Sequence, residues 1–295
     1  MLQGLRRRFL AAVRRRSAPR PVPDDLWLAN LARYPFLIRQ DPAAQRRLRT
    51  LTSAFLGQKE FHGAGGLAIT DAMALAVATQ ACLPLLDLAP PRDPAAVLRW
   101  YDDFVGIVLH PGEVMARREV TDDDGVVHHY REALTGEAMD GGPVMLSWAD
   151  VATAGQTAVQ GYNVVIHEFV HKMDLRDGEA NGCPPLPPGF MGTSSPAEAR
   201  SLWFSRLQSE FEKFSDQVAA AERFGGLVDT PWLDPYAVES VSEFFAVAAE
   251  AYFVNPRQLS AQSQALHDLL DQFFHPRNAD EFKNPRERQT GSRLP

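Results

Sequence analysis

His167 and His171 stand four residues apart with Glu168 beside the first, an H-E-x-x-H pattern inside the run 162–174. On a helix each residue advances about 100°, so the two imidazoles lie one above the other on a single face. From there they can grip one Zn²⁺ ion from the same side. Glu168 lies at the edge of that face, where it reaches a water molecule rather than the metal and can serve as a general base.

A pattern this short arises by chance in on the order of one such chain in a hundred, so its surroundings decide. Val164, Val165, Ile166, Phe169, Val170 and Met173 make the segment apolar almost all round, as a buried helix is. A solvated helix with two idle histidines would not read this way. A buried helix carrying two histidines and a glutamate must satisfy their polar atoms, and a metal ion in a cleft does so directly.

A catalytic zinc site needs three protein ligands and one open position. The other histidines are His62, His110, His128, His129, His267 and His275; the adjacent pair 128–129 reads as surface residues of a strand pair. Glu243 is the preferred third candidate. Its neighbours Phe244, Phe245, Ala246 and Val247 are apolar, which points to a buried carboxylate in need of a partner. Glu239 and Glu250 share its helical face. Spacing alone leaves open whether Glu243 ligates a metal or instead caps or salt-bridges.

Several elements must position these groups. The prolines of 17–23 mark a linker, and 26–34 reads as a short helical segment. Asp41-Pro42 opens a helix that the stretch 58–62 ends. Thr70-Asp71 caps a helix from Ala72 to about Leu83. Phe104 to Leu109 is an apolar, β-branched strand, and 122–125 is a hairpin-turn signal. Pro143 to Trp148 reads as a second short strand, ended by Asp150. The motif helix is expected from about Ala158 to Asp174. A proline-rich loop over 178–196 leaves its end and reads as a rim of the cleft. Further helices are expected from Ser195 to about Arg223, from Ser240 to Phe253, and from Ser260 to Phe274.

The bulk composition is that of a globular protein, 45% hydrophobic and 23% charged, with net charge −7. Seven arginines and no acids fall in the first twenty residues; the rest holds 23 basic against 37 acidic residues. An acidic body argues against direct nucleic-acid binding. Two cysteines, Cys82 and Cys183, are too few for a disulfide framework and imply a cytoplasmic protein. The apolar piece from Phe9 to Val13 is too short for a secretory signal, and no stretch is long enough for a transmembrane helix. The expected organisation is a basic tail over 1–24, one domain over 25–278 (a helical part 25–98, a catalytic part 99–278) and a polar tail over 279–295.

The motif residues, with Asp234-Pro235-Tyr236-Ala237, then Ser242 to Val247 and Glu250, resemble the zinc-dependent peptidase family of Mlc titration factor A (MtfA). That family in turn resembles the catalytic domain of anthrax toxin lethal factor. The likeness covers about residues 30–278 and takes in 83–86, 110–111, and Val144, Leu146, Ser147 and Trp148. The arginine-rich N-terminus stands outside that pattern.

The resemblance implies an α+β fold, a mainly helical zincin-like metallopeptidase with a small β-sheet beside the motif helix. It implies one Zn²⁺ per chain on His167, His171 and Glu243, with Glu168 as base and Tyr236 facing the developing oxyanion. Asp174 and Glu250 would orient a ligand imidazole. The strand Val144, Met145, Leu146, Ser147, Trp148 would take an extended peptide by strand addition. The implied activity is aminopeptidase-like on short peptides. The family's name implies an alternative, a regulatory protein that sequesters a transcriptional repressor.

Overall fold

The computed structural model describes residues 21–88, 94–112, 115–121, 127–133 and 142–276. Helices dominate, and a three-stranded parallel sheet sits among them.

Helix α1 (Asp24–Arg33) leads to α2 (Pro42–Leu56), where the Asp41 carboxylate accepts from the N–H groups of Ala43 and Ala44 at 2.7 and 2.9 Å. Strand β1 (Glu60–Gly63) follows, then α3 (Asp71–Cys82), capped by Thr70 as expected. β2 (Gly106–His110) is the middle strand of the sheet. β3 (Met115–Thr121) and β4 (Val127–Ala133) pair antiparallel apart from that sheet; the turn expected at 122–125 lies outside the described residues. β5 (Val144–Ser147) pairs parallel with β2 and lies at an edge, giving the order β1-β2-β5.

Three boundaries differ from the sequence reading. Residues 60–63 are a strand rather than a helix end, because Glu60 to Gly63 pair with Gly106 to Leu109. Trp148 is not in the strand; it opens helix α4 (Trp148–Thr157), capped by the Ser147 hydroxyl, which accepts from the Asp150 N–H. The motif helix α5 spans Val164–Asp174 rather than starting near Ala158. Gly161, at φ 81°, turns the chain ahead of it, and the Asn163 side chain accepts from the Ile166 N–H to cap it.

α6 (Pro196–Phe224) is 29 residues long and begins at Ser195, whose hydroxyl accepts from the Glu198 N–H. α7 (Val241–Val254) carries the candidate third ligand. The last expected helix is two, α8 (Pro256–Gln262) and α9 (Gln264–Phe274), divided at Ser263, which caps the second.

The buried side chains form one continuous cluster around α5 and α7. Phe169, fully buried on α5, meets Tyr101, Phe104 and Phe55 with ring centroids 4.9, 5.8 and 5.7 Å away. Phe245 on α7 packs edge-on against Trp203 of α6 at 5.6 Å. Each such side chain contributes about 1.5–3 kcal/mol through burial, so α5 and α7 are fixed by aromatic packing on their apolar faces. The proline-rich loop is folded against this core: Cys183, Pro187 and Phe190 are buried. Among the described residues no helix is long and apolar enough to cross a membrane.

Candidate metal centre

α5 and α7 pack against each other and bring His167, His171 and Glu243 to one point. The Nε2 atoms of the two histidines are 3.1 Å apart. Glu243 Oε2 is 3.2 Å from each. The three donors thus make a near-equilateral triangle. In a tetrahedral site with ligand distances near 2.0–2.1 Å, two donors lie about 3.3–3.4 Å apart. The triangle therefore matches one face of a tetrahedron, with the fourth corner left for water or substrate. Among the described residues this is the one group of His, Cys, Asp or Glu side chains close enough to hold an ion.

Glu243 occupies the third position of α7, and its N–H donates to the capping Ser240 hydroxyl at 3.1 Å. In a capping box its carboxylate would turn back to the chain; here it goes to the two imidazoles. Of the roles left open by spacing, the backbone caps while the side chain joins the histidines.

Each imidazole is held from behind. His167 Nδ1 lies 2.7 Å from Glu250 Oε1. The other Glu250 oxygen accepts from the Asn163 N–H, so one carboxylate ties both the ring and the entrance of α5 to α7. Asn163 Nδ2 donates to Gln80 Oε1 at 2.8 Å, and Gln80 Nε2 donates to the Ala76 carbonyl at 3.0 Å. Behind His171 stands Ser242, its hydroxyl 3.3 Å from Nδ1 and donating to Asp174 Oδ2 at 2.7 Å. Glu250 thus meets His167 directly, whereas Asp174 reaches His171 only through Ser242.

Sequence reasoning missed Ser242, Asn163 and Gln80. Gln80 carried a signal, an amide in a helix rich in Ala, Leu, Val and Met. Asn163 carried another, a capping residue immediately before an apolar run.

The electrostatics follow from this packing. Burial works against a charged His167, but Glu250 and Glu243 outweigh it and raise its pKa well above that of an ordinary histidine. Burial also works against a charged Glu243, yet the two imidazoles hold its carboxyl far below the usual range. Glu168 moves the other way, its pKa raised by burial against the pull of both histidines.

The Glu168 side chain makes no hydrogen bond or ion pair among the described residues, and it stands next to His167 on the helix. Tyr236, in the turn Pro235–Val238 that packs on α7, has its ring 6.5 Å from that of His167 and is 37% exposed. β5 packs beside α5. Lys172 holds the approach to that strand, donating to the Gly142 carbonyl at 3.1 Å and pairing with Asp103 at 3.6 Å.

Comparisons with known proteins agree with this geometry. A family model described as glucose-regulated metallo-peptidase M90 matches residues 9–275. The match begins within the arginine-rich segment, which is therefore partly inside the family's span. Mlc titration factor A of Klebsiella pneumoniae is 28% identical over 249 residues, covering 84% of each chain. The protein of that name from Salmonella arizonae is 29% identical over 252 residues, covering 85% of this chain and 90% of its own. That from Pectobacterium atrosepticum is 28% identical over 249 residues, covering 84% of each chain.

Proposed function

The chain belongs to the glucose-regulated metallo-peptidase M90 family, and from that premise we propose that it is a zinc-dependent metallopeptidase with aminopeptidase-like activity on short peptides. The observation that carries the reading is the triangle of His167, His171 and Glu243 with Glu168 beside it. Two imidazoles and a carboxylate with an open fourth position are the donor set of catalytic zinc sites. When bound there, Zn²⁺ supplies a Lewis acid that makes water a nucleophile near neutral pH.

The chain's own residues supply the rest. Glu168 takes the proton of the attacking water and returns it to the leaving amine. Its raised pKa suits a group that must both accept and release a proton. Tyr236 donates its hydroxyl to the oxyanion that develops on the scissile carbonyl. Glu250 accepts from His167 Nδ1 and keeps Nε2 directed at the ligand position. β5, an edge strand, offers Val144 to Ser147 for backbone pairing with an extended peptide, with Trp148 flanking it. Both cysteines are free and buried, which supports a cytoplasmic setting.

The relatives' name, a titration factor, favours a second reading in which this chain also binds a regulatory protein, such as a transcriptional repressor. Glu168→Gln separates the two. The variant should keep about one metal ion per chain and any such partner, and lose hydrolysis of an aminoacyl and quenched-peptide panel by about 10²-fold or more. Glu243→Ala should lose both metal and hydrolysis. Full metal content in Glu243→Ala would remove Glu243 from the ligand set, and undiminished hydrolysis in Glu168→Gln would remove the proposed base.

A further inference from the structure

The two ligand histidines are held by unlike partners. His167 meets a carboxylate directly, whereas His171 meets a hydroxyl. We infer that Ser242 is a positioning residue for the metal centre, and that through it the 178–195 loop is coupled to His171. The inference rests on the metal-centre reading given above.

Hydrogen counting carries the argument. Ser242 has one hydroxyl hydrogen, and the 2.7 Å contact commits it to Asp174 Oδ2. What faces His171 is then a lone pair of the serine oxygen, so Nδ1 must bring the hydrogen across the 3.3 Å gap. This fixes the tautomer with Nδ1 protonated and Nε2 bare, the form a ligand position requires. With an apolar residue at 242, nothing on that side would prefer this tautomer or hold the ring plane.

The same Asp174 oxygen accepts from the Gly182 N–H at 2.8 Å. Gly182 is locked in turn: its carbonyl accepts from Trp203 Nε1 at 2.7 Å, and its φ is +77°. A Cβ there would lie 2.7 Å from the Val241 carbonyl oxygen, so the loop lies directly on the first turn of α7. The path runs from the loop backbone through Asp174 and Ser242 to His171. Asp174 Oδ1 has no partner among the described residues; the carboxylate is held only by the oxygen that serves the relay. A contact that lifts this loop, by a substrate or a partner, therefore loosens a metal ligand. His167, held by Glu250, is left untouched.

The test measures Zn²⁺ affinity by chelator competition and the ligand-field bands of Co²⁺-loaded protein in wild type, Ser242→Ala, Ser242→Thr and Trp203→Phe. Thermal melts of the metal-free proteins provide the control for folding. Ser242→Ala should weaken Zn²⁺ binding about tenfold or more and shift the Co²⁺ bands. Ser242→Thr, which keeps the hydroxyl, should stay within about twofold of wild type. Trp203→Phe, which keeps a ring against Phe245 but removes the Nε1 donor to Gly182, should weaken binding in the same direction by releasing Gly182.

Unchanged affinity and bands in Ser242→Ala would overturn the positioning role. Equal losses in Ala and Thr variants would reduce it to packing and overturn it too. Unchanged affinity in a folded Trp203→Phe would overturn the coupling to the loop. A wild type that binds no metal would instead overturn the centre itself. Should Ser242→Ala fail to fold, zinc-loaded wild type still decides: the His171 Nδ1 proton should be visible by NMR and protected from solvent exchange, and rapid exchange would overturn the proposal.

Discussion

Tyr236 is the most exposed member of the proposed constellation, at 37%, while His167 beside it is 7% exposed. A ligand must be fixed before the metal arrives, whereas an oxyanion donor is needed only when the carbonyl oxygen becomes charged. Its contribution therefore belongs to the transition state. Tyr236→Phe should lower kcat about 10²-fold with KM and metal content little changed, as steady-state kinetics and elemental analysis on the same sample would read. A raised KM with unchanged kcat would mean that the ring binds substrate instead. The site was legible in the sequence where a residue's type and spacing suffice, at His167, Glu168 and His171. It was illegible where a role depends on a partner distant along the chain. Ser242 looks like an ordinary first-turn serine until Asp174 and His171 are placed beside it.

At the scale of elements, α5 depends on how the chain enters it. Gly161 sits at φ 81° against Trp232 and Ala251, and a Cβ there would lie 2.8 Å from Trp232 Cη2. Gly161→Ala combines a left-handed conformation with a clash. It should cost about 1–3 kcal/mol, read as a lower denaturant midpoint at unchanged slope; a midpoint equal to wild type would show that Trp232 yields freely. Helix starts flagged by a capping residue ahead of proline or an apolar run were readable, as at Asp41, Thr70, Ser195 and Ser240. The missed boundaries share one physical cause. Asn163, Ser147 and Ser263 all cap helices, but each lies inside a stretch that reads as one element: a helix from Ala158, a strand to Trp148 and a helix from Ser260. β1 was missed for another reason: its four residues carry no alternation of their own, and their strand conformation comes from pairing with β2.

At the scale of the molecule, a polar clasp at the end of α9 closes the described chain. His275, at the C-terminal end of α9, lies 3.2 Å from Asp87 and 3.3 Å from Asp271, with the Tyr252 hydroxyl 2.7 Å away. Arg47 holds the other Asp87 oxygen at 2.8 Å. The hydrogen bond to Asp87 leads the influences that raise the His275 pKa. Burial works against a charged Asp87, but the His275 and Arg47 contacts outweigh it and lower its pKa. A group whose pKa is raised on folding stabilises fully below its unfolded value, about 6.5 for histidine, and loses that contribution as pH rises through the folded value. The Asp87 share is lost at the other end, as pH falls through its lowered value. The melting-temperature gap between wild type and His275→Ala should therefore be widest near about pH 5–6 and close towards about pH 9. A gap independent of pH would assign the ring to packing alone.

The proposed ligands are also far apart along the chain: Glu243 comes 72 residues after His171, with the whole of α6 between them. An unfolded chain offers a cation only two histidines on an eleven-residue segment that is marginal as an isolated helix. The full donor set comes into being when α5 and α7 dock. A cation that binds the native state in preference to the unfolded one stabilises it by about 4 kcal/mol at a thousandfold excess over Kd, a sizeable part of the 5–15 kcal/mol that holds a typical domain folded. On the proposed ligand set an ion thus acts as an inspector of assembly, favouring the docked arrangement of α5 and α7 as well as serving turnover.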